Sequence, residues 1–196
     1  PRNQIDLTGR NLKVWRTPDD TLVKKMEVII AISTLPGTKE LYSCLHSVSM
    51  QKCDWKGIGV VILQDQAYCK TAPSFKLPEQ IVNRTWYLTA NCGSAALSRN
   101  TILEYVETNI PEAEWVARLD YDDRFTSSDS LNAMIESASG NSCKCVIGSN
   151  RVMDSDYKCV KLNYATNALL NYSNVIDLLE KMSRGVAENE LPSCNL

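Results

Sequence analysis

Glu27-Val28-Ile29-Ile30-Ala31-Ile32-Ser33-Thr34 is a run of strand length, apolar from Val28 to Ile32 and rich in β-branched side chains. A strand with one wet face alternates apolar and polar residues, whereas one buried on both faces does not. The run therefore predicts an inner strand of a parallel sheet. Leu35-Pro36-Gly37-Thr38 breaks it, and Leu41, Leu45 and Val48 then recur at helical spacing, with Thr38 or Pro36 near the helix start. Trp55-Lys56-Gly57 punctuates, and Ile58-Gly59-Val60-Val61-Ile62-Leu63-Gln64-Asp65 repeats the buried-strand pattern, this time ending on a carboxylate. Strand, helix and strand in that order predict an α/β protein: a Rossmann-like, mostly parallel sheet flanked by helices. Gly57 and Gly59 precede their strand instead of following it, so they are no dinucleotide fingerprint.

Further along, residues 66–80 hold Pro73 and Pro78 and read as a surface connection, and residues 81–89, with Trp86, Tyr87 and Leu88, supply a third strand. Ala90-Asn91-Cys92-Gly93-Ser94 turns the chain, and Ile102, Val106 and Ile110 mark the buried face of a helix over residues 95–109. Arg99 falls in the first two turns of that helix, where free N–H groups and the positive dipole end suit a phosphate. On a helix surface it could equally be a solvated side chain. After Pro111, residues 115–123 read as a strand. Ser127-Ser128-Asp129 then caps a helix carrying Leu131, Met134, Ile135 and Ala138 on one face and closed by Gly140. Cys145 to Ser149 form another apolar strand, and Val175, Leu178, Leu179 and Met182 a last helix ended by Gly185. Residues 1–25 are polar around Val14-Trp15 and read as a leader touching the domain at one point; residues 26–196 form the domain. Pro1 and the untailed end at Leu196 look like cuts in a longer protein, with the acceptor-side part missing.

Chemistry concentrates in Val116-Ala117-Arg118-Leu119-Asp120-Tyr121-Asp122-Asp123-Arg124-Phe125, which ends in three carboxylates within four residues. Read as a strand, its period of two puts Asp120 and Asp122 on one face. Crowded carboxylates repel unless a cation lies between them, and their hard oxygens suit Mg²⁺ or Mn²⁺ better than zinc. The plainer alternative is a solvated Asp-rich turn. An EF-hand beginning at Asp120 is excluded, because Phe125 and Leu131 stand where it needs Gly and Glu. Asp65 has a similar pair of readings: a residue starting a loop, or a ligand contact at the carboxyl edge of a parallel sheet, where open α/β folds bind.

The totals narrow the function. The 196 residues are 44% hydrophobic and 22% charged, which fits one α/β-sized domain. A net charge of -2 with no dense Lys/Arg block argues against nucleic acid as a partner. No apolar run is long enough to span a bilayer. Eight cysteines lack CxxC spacing and are accompanied by a single histidine, His46, so zinc coordination is poorly supported. Several cysteines lie in apolar segments, which favours reduced thiols and a cytoplasmic setting, including a peripheral one at a membrane surface; the even count also permits disulfides.

Four of these pieces together resemble the glycosyltransferases of family 2 type, which have the GT-A fold, over residues 26–155. Ser33-Thr34 is similar to the family's opening loop at the nucleotide, and Ile62-Leu63-Gln64-Asp65 to its second strand ending in an Asp. Asn91-Cys92-Gly93 followed by Ser98-Arg99-Asn100 looks like its Asn-any-Gly and Ala-Arg-Asn segments, and Leu119-Asp120-Tyr121-Asp122-Asp123 matches its D-x-D-D motif. The resemblance implies transfer of a sugar from a nucleoside-diphosphate sugar, UDP-linked in the first instance, to a carbohydrate or lipid-linked acceptor. It implies nucleotide-sugar contacts at Ser33, Thr34, Asp65, Asn91, Arg99 and Asp120, and an Mn²⁺ or Mg²⁺ ion on Asp122 and Asp123. The family's general base lies further along. Glu188 and Glu190 are the nearest late carboxylates, read here as a charged turn, and no base is assigned. A sugar-phosphate nucleotidyltransferase is the alternative enzyme, although Leu35-Pro36-Gly37-Thr38-Lys39 is a poor phosphate loop for one. A noncatalytic nucleotide-sugar-binding module is the third reading.

Overall fold

The computed structural model describes residues 8–67, 76–140, 150–153 and 159–163. Packing divides the chain into two compact units, Pro1–Ala133 and Met134–Leu196.

The first unit is built on a five-stranded sheet. Its strands are β1 (Lys13–Arg16), β2 (Val28–Thr34), β3 (Ile58–Asp65), β4 (Thr85–Ala90) and β5 (Trp115–Asp120). They lie in the order β1-β4-β3-β2-β5. β2, β3, β4 and β5 run parallel, while β1 pairs antiparallel with β4. The expected α/β class and mostly parallel, Rossmann-like sheet are therefore present. The short helices α1 (Asp20–Val23) and α3 (Glu79–Val82) accompany the longer α2 (Glu40–Ser49) and α4 (Ala95–Asn109).

The buried runs are central for the reason their composition implies: β2 and β3 are buried along almost their whole length, on both faces. Ile29, Ala31, Val61, Leu63, Trp86 and Leu88 point to one side and pack with Ile102, Tyr105 and Val106 of α4 and with Ile110 just past its end. The buried Leu41, Cys44, Leu45 and Val48 of α2 are not in that cluster and serve the other side. Gly59 allows a close approach on the α4 side, since a Cβ at this position would stand 2.6 Å from Met26 Sδ and 2.8 Å from the Trp86 ring.

Three readings of the sequence change. The segment 1–25 is more than a leader, because it contributes β1 and α1 to the unit. Val14 and Trp15 are exposed, but Trp15 Nε1 donates to Thr89 Oγ1 at 2.9 Å, and the backbone pairing with β4 does the rest. The third strand is shorter than 81–89 and is preceded by α3. The strand expected over 115–123 ends at Asp120, where the Asp123 amide donates back to the Asp120 carbonyl at 3.0 Å and makes a turn. Asp122 therefore lies outside the strand, and the alternation that put it on the face of Asp120 does not apply.

α5 (Ser130–Gly140) begins in the first unit. The second unit contains β6 (Asn150–Met153) and β7 (Cys159–Asn163), an antiparallel pair. The expected strand at residues 145–149, the helix at residues 175–185, and Glu188 and Glu190 lie outside the described residues. Among the described residues, no helix is long and apolar enough to cross a membrane.

Candidate functional site at the strand switch

The order of the parallel strands locates the site. From β2 the chain moves outward to β3 and β4, then returns to the other side of β2 as β5. Connections on the two sides of β2 leave in opposite directions, and the crevice they open at the carboxyl edge is where open α/β sheets bind ligands. Ser33 of β2 and Asp120 of β5 are register partners at this edge.

Asp120 is held by Arg99 from the second turn of α4. Arg99 Nε donates to Oδ1 at 3.3 Å and Nη2 to Oδ2 at 2.5 Å, a two-pronged pairing with the side chains 28% and 17% exposed. The expected phosphate-facing Arg99 is thus engaged by the expected ribose or metal contact. Arg118, two residues before Asp120 on the same face, has Nε and Nη2 buried without a hydrogen-bond partner among the described residues. Burial lowers its pKa, with the Arg99 charge adding to the effect, while Asp120 and Asp123 oppose it.

The acidic turn sits beside α2. Cys44 Sγ donates to the Asp120 carbonyl at 3.6 Å. Burial, followed by the charges of Asp123, Asp122 and Asp120, pushes its thiol from the ordinary 9.0 to about 12. The unfolded thiol ionises near its ordinary value while the folded one keeps its proton to about 12, so the group's contribution to stability falls as pH rises between these values. Denaturant midpoints measured from about pH 8 to about pH 11 should decline, less steeply in Cys44→Ala. Burial and the charges of Asp122, Glu40 and Asp120 also raise the Tyr121 pKa, which places Glu40 near the same turn.

The loop after the acidic turn is tied to the end of α2. The Phe125 amide donates to Ser47 Oγ at 3.2 Å, and the Lys52 amide to the Ser128 carbonyl at 2.7 Å. Gln51, 4% exposed, donates from Nε2 to the carbonyls of Ser47 and Ser127 and accepts the Leu131 amide on Oε1.

Asp65 is placed differently from the other carboxylates. It is 3% exposed, and its oxygens face inward. Oδ1 accepts the amides of Ala67 (3.0 Å) and Cys92 (2.9 Å); Oδ2 accepts the Gly93 amide (2.9 Å) and the Ser98 hydroxyl (3.3 Å). Gly93 has φ 73°, which turns its N–H toward this carboxylate at no steric cost. Asp65 thus fastens the loop before α4. Asn91 lies in that loop, its amide donating to the Arg10 carbonyl. Thr34 is 2% exposed, with its hydroxyl shared between Thr38 Oγ1 and the Leu35 carbonyl. Ser33, Arg99 and Asp120 come together at the switch, with Asp122 and Asp123 in the turn that follows; Asp65 and Thr34 support the loops around them.

Sequence reasoning missed Arg118, although a charged residue interrupting an apolar strand two positions before Asp120 is a legible signal. Gln51 gave none, because its role depends on a loop 76–80 residues away. Among the described residues, no three His, Cys, Asp or Glu side chains are grouped so as to hold a metal ion. A cavity of about 450 Å³ bordered by Arg16, Asp19, Leu22 and Asn83 lies by the amino end of β4, away from the switch. Cys44, Cys53 and Cys92 are free thiols.

The class this fold and edge define is an α/β protein with a Rossmann-like, mostly parallel sheet. No protein-family model matches the chain, and no curated protein matches its sequence.

Proposed function

We propose that the chain is the donor-binding part of a metal-dependent glycosyltransferase of GT-A type, taking a sugar from a nucleoside-diphosphate sugar to an acceptor hydroxyl. The observation that carries this reading is the pairing of Ser33 with Asp120 at the strand switch, with Asp122 and Asp123 in the next turn. In the transfer, the acceptor oxygen bonds to the anomeric carbon as the bond from that carbon to the diphosphate breaks. The electron pair leaves with the phosphate, and the acceptor gives up its proton. Hard carboxylate oxygens fit Mn²⁺ or Mg²⁺ by their chemistry. Asp120 is paired with Arg99, so Asp122 and Asp123 would hold the ion, which when bound offsets charge growing on the leaving phosphate. Arg99 keeps Asp120 fixed at the crevice. Ser33 borders the nucleotide, while Asp65 sets the loop that carries Asn91.

Calorimetry with UDP-, GDP- and TDP-linked sugars, with and without Mn²⁺, tests the proposal. One nucleotide sugar should bind with Mn²⁺ at least about tenfold more tightly than without it, and Asp122→Ala should remove that difference. Binding indifferent to Mn²⁺, or a preference for a nucleoside triphosphate with a sugar phosphate, would overturn it.

A further inference from the structure

The Arg99 charge is felt at Arg118, yet only Arg99 has its fork paired. Arg99 presents its Nε and Nη2 edge to the two oxygens of Asp120. Arg118 buries the same two nitrogens, and nothing among the described residues accepts from them. This edge of a guanidinium is a planar fork that fits two oxygens of one carboxylate or phosphate. A buried N–H left unpaired costs about 1–3 kcal/mol, more when charged, so such groups need a physical reason, an absent ion being one. The register of β5 sets Arg118 opposite Ala31, a small residue, two pairs below Ser33 and Asp120.

We propose that Arg118 is the diphosphate-reading residue of the crevice, its Nε and Nη2 donating together to phosphate oxygens while Arg99 stays on Asp120. This rests on the nucleotide-sugar reading above and changes which arginine meets the anion. Asp120 and Asp123 also act on Arg118, so charge alone does not choose the ligand. Phosphate is favoured over a carboxylate because the donor reading puts a diphosphate at this crevice.

The test is calorimetry of the full chain in Mn²⁺ with UDP, inorganic pyrophosphate and uridine, comparing Arg118→Gln, Arg118→Lys and the unaltered protein. Arg118→Gln should weaken UDP and pyrophosphate by about tenfold or more and leave uridine unchanged. Arg118→Lys keeps the charge without the fork and should recover only part of the loss. Equal UDP affinity in Arg118→Gln and the unaltered protein overturns the inference and leaves the donor reading standing. An equal loss for UDP and uridine, with a lower melting temperature, also overturns it, because that is a packing role. If Arg118→Gln does not fold, full UDP affinity in Arg118→Lys overturns it. Failure of the unaltered protein to bind either UDP or pyrophosphate removes the donor reading, and this inference with it.

Discussion

Asp65→Ala should destabilise the protein by about 4 kcal/mol, seen as a lower urea midpoint with an unchanged slope. The side chain is 3% exposed and accepts from three amides and a hydroxyl. Each buried donor left without an acceptor costs about 1–3 kcal/mol, and water can reach only the outer members of the set. Asp65→Asn retains one carbonyl oxygen but turns an NH2 group toward other donors, so its loss should be about half as large. A change below about 1 kcal/mol in Asp65→Ala would mean the clamp does not hold the loop. If the carboxylate served a ligand instead, the loss would appear in binding with the midpoint unmoved.

Gln51→Ala should cost about 3 kcal/mol, because the Leu131 amide and the Ser127 carbonyl lose their partner in an enclosed place. The effect should reach the acidic turn as well. Gln51 helps anchor the loop running from Asp122 and Asp123 into α5, so the Mn²⁺ affinity proposed above should fall with stability. Gln51→Glu is the informative comparison: its oxygens still accept the Leu131 amide, but a carboxylate cannot donate to the Ser47 and Ser127 carbonyls. Equal midpoints and equal Mn²⁺ binding in Gln51→Ala and the unaltered protein would refute the anchoring.

What the sequence disclosed follows from how each element is stabilised. β3 and α4 were legible to the residue, since a solid apolar run and a 3.6-residue period are properties of the segment itself. β1 was not, because all four of its residues are exposed and its place is fixed by hydrogen bonds to β4. Residues 81–89 merged α3 with β4, although Pro78-Glu79 is a helix-start signal that the aromatic residues outweighed. The site divides in the same way. The resemblance singled out Ser33 and Asp120 as nucleotide-sugar contacts, but only the folded chain shows them as neighbours. Asp65 was read either as a residue starting a loop or as a ligand contact, and Asn91, by resemblance, as a nucleotide-sugar contact in a turn. Cys92 and Gly93 meet Asp65 because the loop folds back over the strand end, a direction that residue spacing does not encode. The Arg99 and Asp120 pair spans two elements and has no local signature.

The Asp65 clamp grips mainly backbone amides, and this has a bearing on diversification. Apart from the Ser98 hydroxyl and the positive φ at Gly93, it is blind to which side chains the loop carries. Asn91 can therefore be exchanged while α4 keeps its seat, which leaves this loop position open to variation on an unaltered scaffold.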